Sequence, residues 1–156
     1  MRAPDFIIGG SDHPYMLRWW LIPRNRWFNV YLHKIMRDDD DRALHDHPWW
    51  NVSIVLRGAY IEVMPDLRAR RTPYTRIADL PQIRKRRGPG SIVFRRANSA
   101  HRLELPIEGG GIRYVWSLFI TGPVIRKWGF HCPHGWRYFK DFVARDDAGS
   151  VGRGCE

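Results

Sequence analysis

The chain has 156 residues, 44% of them hydrophobic and 13% aromatic, so it has the length of one domain and can bury a core without staples. No stretch approaches the ~20 apolar residues of a membrane span, and the first residues show no signal-peptide pattern, so we expect a cytoplasmic protein without a membrane segment. The 26 Lys and Arg against 16 Asp and Glu give a net charge of +10, which suits a nucleic acid, a nucleotide or a small anionic metabolite as partner, or simply a basic solvated surface.

The first forty residues predict an arm followed by two strands. Residues 1–14 contain a Gly-Gly pair and two prolines and predict a loop-rich arm. Residues 15–22 are strongly apolar, which is typical of either a short strand or a helical turn. Residues 28–33 alternate between two faces and predict a strand that carries His33. The four aspartates at 38–41 indicate a solvated loop, with a cation site as the alternative.

The middle of the chain contains the clearest strand pattern. Residues 52–57 alternate between two faces, and Gly58 then ends the strand. Residues 60–63 are expected to form the hairpin partner of that strand. Residues 65–87 are rich in Arg and Pro and predict an edge strand with long loops.

Turn signals divide the second half of the chain into further strands. The Gly-Pro-Gly sequence at 88–90 predicts a turn between two strands of the sheet. Residues 91–95 and 101–105 predict strands, and the second of them alternates as a half-buried antiparallel strand does. Longer strands are predicted over 112–120 and 124–130.

The C-terminal part departs from this pattern. Apolar residues at helical spacing predict a short helix over 136–143, and the Gly-rich end is expected to be disordered. The two cysteines, Cys132 and Cys155, do not imply a disulfide framework, because Cys155 is the penultimate residue and a reducing compartment is expected. The segment 131–134 lacks the four ligands of a structural zinc site, so we interpret it as a turn that docks the C-terminal segment.

Many short strands separated by Gly and Pro turns predict an all-β sandwich or barrel. We divide the chain into an N-terminal arm with a leading strand (1–26), a barrel (27–130) and a C-terminal segment that packs on the barrel and ends in a disordered tail (131–156).

His45 and His47 are the most informative residues, because side chains two positions apart in a strand point to the same face. Both imidazoles can therefore reach one point, which the neutral nitrogen ligands of a metal ion require. His101 lies in a second predicted strand after the turn at 88–90 and is a third candidate ligand. The hypothesis is a small β-barrel that holds a metal ion, with histidines that only pack in the sheet as the alternative.

The order of these elements resembles the two motifs of the cupin superfamily. The first is His45-x-His47 with a β run that ends at Gly58, and the second is Gly90, a strand, a loop and His101. The resemblance covers most of the chain and implies a double-stranded β-helix, a small jelly roll with a metal at the mouth of the barrel. It also implies that the three histidines are the metal ligands.

The chain departs from the cupin motifs at two places. Asn51 stands where a Glu often follows the second His, so a site of three histidines is favoured, with Asn51 as a weak ligand or a group that holds a water molecule. The loop before the third His has Arg96 and Asn98 where the family carries Pro and Gly, and Asn tolerates the left-handed conformation that Gly would supply. The segments 42–49 and 122–136 resemble short single-domain cupin-like proteins of bacteria and phages.

Several residues near the first motif are candidates for the surroundings of the metal. Asp46 has the opposite strand parity to the histidines and is expected to support them from behind or to make a structural hydrogen bond near Arg42 or Arg57. Trp49 shares the parity of the histidines and is expected to wall a pocket. Arg57 and Arg113 are candidates for binding the substrate, with surface arginines as the alternative.

Three neutral ligands leave open coordination positions and the full charge of a divalent ion, which favours an anionic substrate. The resemblance implies an iron(II) dioxygenase for such a site, with zinc, nickel or manganese as alternative ions. Two other functions stay open: a non-catalytic module that binds a metal, a sugar or a nucleotide, and an isomerase or epimerase that uses His and Tyr as acid and base. A homodimer is expected by analogy with the fold, and nucleic-acid binding through basic loops at 68–71 and 84–87 ranks last.

Overall fold

The computed structural model describes residues 2–39, 43–108, 111–112, 114–144 and 152–156. Within these ranges the chain forms antiparallel strands with one short α-helix and one 3-10 turn, which confirms the all-β prediction. No helix in the described part is long and apolar enough to cross a membrane. The strands are β1 (Phe6–Ile8), β2 (Met16–Trp20), β3 (Asn29–Ile35), β4 (Leu44–His45), β5 (Asn51–Arg57), β6 (Tyr60–Pro65), β7 (Gln82–Arg87), β8 (Ile92–Arg95), β9 (Arg102–Glu104), β10 (Ile107–Glu108), β11 (Gly111–Ile112), β12 (Val115–Thr121), β13 (Gly129–Cys132) and β14 (Gly135–Tyr138), and the helix is α1 (Phe139–Phe142).

The described strands form two layers around a common interior. One layer is a sheet with the order β1-β2-β3-β12-β5-β8. The other consists of the sheets β7-β6-β9 and β14-β13-β4, which a β-bridge between His45 and His101 joins side by side. Backbone hydrogen bonds run in both directions between these two histidines, so the connection between the two sheets also sets the distance between two of the predicted ligands.

The interior of the barrel is built from alternate residues of its strands. In β3, β5 and β12, buried positions alternate with partly exposed ones, as period-2 side-chain orientation requires. The apolar core contains residues of both layers and lies beside the histidines: Met16, Ile35, Val55, Tyr60, Leu103, Leu105 and Val115. This core anchors the strands that carry the polar groups of the interior.

The strands β5 and β6 lie in different sheets, so the expected hairpin between residues 52–57 and 60–63 is wrong. β5 pairs with β12 and β8, and β6 pairs with β7 and β9. The chain changes layer at Gly58, which has a φ of 78°. A Cβ at Gly58 would lie 2.6 Å from the carbonyl oxygen of Tyr114, so glycine is required at this crossing.

The two ends of the chain are integrated into the fold. β2 pairs with β3 and β1 pairs with β2, so the apolar segment predicted as a strand or a helical turn is a strand of the main sheet. At the other end, Cys132 and Cys155 form a disulfide, and the amides of Gly152 and Gly154 donate to the carbonyl oxygen of Phe142. The structure therefore contains a disulfide that the sequence did not imply, and residues 152–156 differ from the expected disordered end.

The predicted C-terminal helix is shorter than its periodicity indicated. Trp136 lies in β14, and the helix α1 contains only residues 139–142, which follow the end of that strand. The apolar spacing arises because Phe139 and Phe142 pack on β13, where Phe142 stacks on Phe130 at a ring-centroid distance of 3.7 Å.

Candidate metal centre

Three histidines converge at one end of the barrel. His45 ends β4, His47 follows two residues later, and His101 immediately precedes β9. One ring nitrogen from each lies within 4.8 Å of the others, and Nε2 of His47 lies 2.9 Å from Nε2 of His101. A metal–nitrogen distance of about 2.1 Å puts two ligands of one ion about 3 Å apart, so this spacing fits a shared ion. Among the described residues, this is the group of histidine, cysteine and carboxylate side chains suited to a metal.

The protein around the three rings favours their neutral form. Burial lowers the pKa of His45 to about 4 and, with the charge of Arg95, lowers the pKa of His101 to about 3. Burial and the two neighbouring histidines hold the pKa of His47 well below its ordinary value. Because only the neutral imidazole has a lone pair to donate, the rings are ready to bind a cation near neutral pH.

Two carboxylates stand behind the histidines. Nδ1 of His45 lies 3.2 Å from Oδ2 of Asp39, and Nδ1 of His101 lies 3.2 Å from Oε1 of Glu62. A carboxylate at Nδ1 orients the ring and leaves Nε2 available to a metal. Glu62 lies in another strand, far from the histidine pair in sequence. Asp39 belongs to the run of four aspartates that the sequence predicted as a solvated loop, with a cation site as the alternative.

Glu62 faces His101 and also binds two arginines. Its side chain accepts hydrogen bonds from Nε of Arg95 at 2.6 Å and from Nε of Arg87 at 2.8 Å. Burial alone would raise the pKa of Glu62, but His101 and Arg95 outweigh burial and hold this pKa well below its usual range. Glu62 is therefore a buried anion. The sequence of β6 did not indicate that this glutamate faces the interior.

A cavity of about 350 Å³ opens beside the histidines. Its walls come from both layers and from the C-terminal segment, and most of them are apolar or aromatic. Its lining includes Arg18, His33, Trp49, Tyr60, Arg95 and Phe119. The cavity has the size of a small-molecule site.

The structure places Trp49 and Asn51 next to this site in different roles. Trp49 lines the cavity and stacks on His47 at a centroid distance of 4.7 Å. Asn51 is fully buried, and its Oδ1 accepts a hydrogen bond from Nη1 of Arg95 at 3.2 Å. Asn51 thus contacts the arginine that holds Glu62 and is not one of the three converging groups.

Asp46 faces away from the cavity. Its carboxylate accepts hydrogen bonds from the amide of Gly129 and from Nε1 of Trp136, lies 3.2 Å from Nε2 of His131 and pairs with Arg126 at 3.0 Å. Burial would raise the pKa of Asp46, but these hydrogen bonds lower it. The partners expected for Asp46 differ from those observed: Arg57 does not contact it, and Arg42 lies outside the described residues.

Of the two arginines predicted to bind the substrate, Arg57 does not line the cavity. Arg57 is exposed at the end of β5, because the pairing of β5 with β12 shifts between Val55 and Arg57 and a β-bulge reverses the side that a residue faces. Arg113 lies outside the described residues. The guanidinium groups that do line the cavity belong to Arg18 and Arg95.

The sequence around Arg18 contains a signal for its place in the cavity. It is a single cation inside an apolar strand, two positions from the buried Met16, so its parity points into the barrel. Its register partner on β3 is His33, which is buried and lines the cavity but does not belong to the group of three histidines. Burial lowers the pKa of Arg18 to about 10, which leaves it charged near neutral pH.

Comparison with known proteins gives the fold. The sequence matches no protein-family model and no curated protein. Among solved structures, a protein with a double-stranded β-helix domain from Klebsiella pneumoniae is 12% identical and has a TM-score of 0.51, over 84% of this chain and 96% of that one. The polyketide cyclase RemF from Streptomyces resistomycificus is 18% identical with a TM-score of 0.52, over 93% of this chain and 82% of RemF.

A third similar structure contains iron. FeII HppE is 16% identical with a TM-score of 0.51, and the match covers 78% of this chain but only 58% of HppE. Likenesses at such identities show the fold, and they confirm the double-stranded β-helix of the cupin proteins that the two histidine motifs implied.

Proposed function

We propose that the protein is a metal-dependent enzyme in which His45, His47 and His101 hold an iron(II) ion and a small anionic substrate is oxidised by dioxygen. The observation that carries the proposal is the convergence of three neutral imidazoles on a cavity that also contains guanidinium groups. When bound, iron would supply coordination positions at which substrate and dioxygen meet. The iron in HppE supports iron over zinc, nickel or manganese.

The protein supplies a positive and largely dry environment for this chemistry. The three imidazoles contribute no negative charge, so the charge of a divalent ion stays uncompensated by its ligands and attracts an anion. Trp49 and Phe119, whose rings lie 5.9 Å apart between centroids, form an apolar wall beside His47 and exclude water from it. Low polarity around the site strengthens each electrostatic contact in it.

Glu62 and Asp39 hold the histidines rather than the substrate. Each carboxylate faces Nδ1 of one histidine, so the ring cannot turn without losing this contact. The site is therefore organised before a ligand arrives, which reduces the reorganisation needed during the reaction.

Elemental analysis and nitric oxide binding test the proposal without a known substrate. The tag-free protein is loaded anaerobically with Fe(II) beside a His47→Ala/His101→Ala variant and a His134→Ala control, whose histidine is exposed. We expect near-stoichiometric iron in the wild type and the control, loss of iron in the double variant, and an iron–nitrosyl EPR signal that reports an open position. Stoichiometric iron without this signal would favour a non-catalytic binding module. Absence of bound metal would overturn the proposal in favour of a metal-free isomerase or a ligand-binding module.

We also propose that a second copy of the chain covers the outer face of the main sheet. The outward positions of β3, β5, β8 and β12 are apolar except for Lys34 and Arg57, and Ile92 and Phe94 on the edge strand β8 are 69% and 61% exposed. On a chain with a net charge of +10, a face with so little charge allows two copies to meet without strong repulsion.

Sedimentation velocity tests the dimer. We expect a dimer for the wild type, a monomer for Phe94→Glu, and a dimer for the control Tyr74→Glu, which changes an aromatic residue that is 91% exposed elsewhere on the surface. A wild-type monomer at micromolar concentration would rule out this interface.

A further inference from the structure

Arg18 is fixed in the cavity by aromatic rings instead of by carboxylates. Its Nε donates a hydrogen bond to Nε2 of His33 at 2.9 Å, and its guanidinium lies over the ring of Tyr31 at 4.7 Å from the centroid. These contacts use one of the five N–H donors of the side chain. The terminal nitrogens Nη1 and Nη2 therefore have donors to offer to a ligand in the cavity that Arg18 lines.

The charge of Arg18 is not balanced by a neighbouring anion. In the part of the chain that the structure describes, Arg18 forms no ion pair, whereas Arg95, the other guanidinium of the cavity, lies 2.6 Å from Glu62. Arg95 also donates to Asn51 and Tyr60, so each of its three nitrogens already donates a hydrogen bond. A guanidinium that loses part of its hydration without gaining a partner is destabilised, and an anionic ligand would offset this at Arg18, whereas Glu62 already does so at Arg95.

His33 does not balance the positive charge of Arg18. It is buried, and burial, with the nearby charge of Arg18, holds the pKa of His33 well below its ordinary value. The neutral ring accepts the hydrogen bond from Arg18 and keeps the guanidinium in place. His33 is thus a positioning residue for Arg18.

Aromatic rings connect Arg18 with the three histidines. His33 stacks on Phe119 at a centroid distance of 4.9 Å, and Phe119 in turn lies 6.4 Å from the ring of His47. The ring of Trp49 packs against those of both Phe119 and His47. The space between the cation and the histidines is therefore walled by flat apolar surfaces, which suit a planar apolar body.

We propose that Arg18 binds the carboxylate of the substrate through Nη1 and Nη2, while the planar apolar body of the substrate lies against Phe119 and Trp49 and its far end faces the three histidines. The substrate class is thus a flat monoanionic acid that is held at the end remote from the metal. The orientation rests on the proposed metal function, but the carboxylate contact does not, because it needs only Arg18. A fork of two N–H donors matches the two oxygens of a carboxylate.

Calorimetric titration with benzoate and benzamide tests this contact. The two probes share a flat ring and differ in charge, and each is titrated into chelator-treated and Fe(II)-loaded protein. We expect the chelator-treated wild type to prefer benzoate, and Arg18→Gln to bind benzoate about 10- to 100-fold more weakly, since a charge-assisted hydrogen bond is lost. Benzamide affinity and iron content should stay as in the wild type. Arg18→Lys should retain part of the preference, and Arg57→Gln, which changes an exposed arginine, should retain all of it.

Three outcomes would overturn the proposal. Benzoate affinity that is equal in the wild type and Arg18→Gln would show that Arg18 does not bind the carboxylate. An equal loss for benzoate and benzamide would show that the variant disturbs the cavity as a whole. Benzoate binding that requires Fe(II) would place the carboxylate on the ion. Each of these outcomes leaves the iron content as a separate measurement, so a failure of the Arg18 contact is distinguishable from a failure of the metal centre.

Discussion

Two buried carboxylates, Glu62 and Asp46, organise two different regions of the molecule by the same means. Both are at most 1% exposed, and each faces one histidine and pairs with arginine. Glu62 faces His101 and so supports the candidate metal centre, whereas Asp46 faces His131 and holds β13 and β14 of the C-terminal region. The comparison shows that nearness in sequence to the histidine pair does not make a carboxylate part of the site. The side to which its side chain points decides which region it supports.

The substitution Glu62→Gln should have the largest effect, because it removes one partner from a buried network. The two arginines that bind Glu62 would keep their charges in the interior, and breaking such a pair costs about 3–5 kcal/mol. We also expect the affinity for metal to fall about 10- to 100-fold, since His101 loses the group that orients it. Urea denaturation and competitive metal titration measure the two effects. Unchanged metal affinity in a folded variant would separate Glu62 from the centre.

Acidification should destabilise the region of the three histidines in the metal-free protein. The pKa values of His45 and His101 are about 4 and about 3 in the folded state, against about 6.5 in the unfolded chain. Between these values the unfolded state binds more protons, so the free energy of unfolding falls as pH falls. The two groups together contribute a loss of about 3 kcal/mol between pH 6.5 and 5.

The pH dependence is checked by urea denaturation at several pH values on protein treated with a chelator. His45→Asn should reduce the dependence of the free energy of unfolding on pH by the contribution of one histidine. The control His134→Asn should leave this dependence unchanged. A wild-type slope near zero across this range would mean that the imidazoles are as accessible to protons in the folded state as in the unfolded chain.

The C-terminal region has a covalent anchor that the metal centre lacks. The disulfide joins cysteines 23 positions apart, and closing a loop of this length in the unfolded chain corresponds to about 3 kcal/mol of stability. Cys155→Ser should lose about this amount, with iron content retained. Treatment of the wild type with dithiothreitol should reproduce the loss, and the variant should not respond to it. Loss of iron from the variant would show that the two regions are not independent.

The sequence could predict the side to which neighbouring side chains point along a short stretch of the chain. Parity placed His45 and His47 on one side and Asp46 on the other, and it matched the alternating burial of His101, Leu103 and Leu105. The barrel fold followed from the spacing of strands and turns and from the resemblance to the cupin motifs.

Parity failed where the backbone is irregular or where the partner lies in another sheet. The bulge between β5 and β12 turned Arg57 outward, and the change of layer at Gly58 moved β6 from its expected partner to β9, which brought Glu62 to His101. The Cys132–Cys155 contact depends on how the end of the chain returns to Phe142. No local pattern contains this information, because such pairings are set by packing between distant segments.

The substitution Asp46→Asn should have the smallest effect of the set and is the sharpest test of the comparison. Asparagine keeps the size of the side chain and can still accept from the amide of Gly129, but it removes the charge that faces Arg126 and His131. Since Arg126 is only partly buried and regains water, we expect a loss of about 2 kcal/mol in the free energy of unfolding. Iron content and benzoate affinity should match the wild type, because Asp46 does not face the cavity. A loss of iron comparable with that in Glu62→Gln would show that both carboxylates support the proposed metal centre, and that the direction of the side chain does not separate their roles.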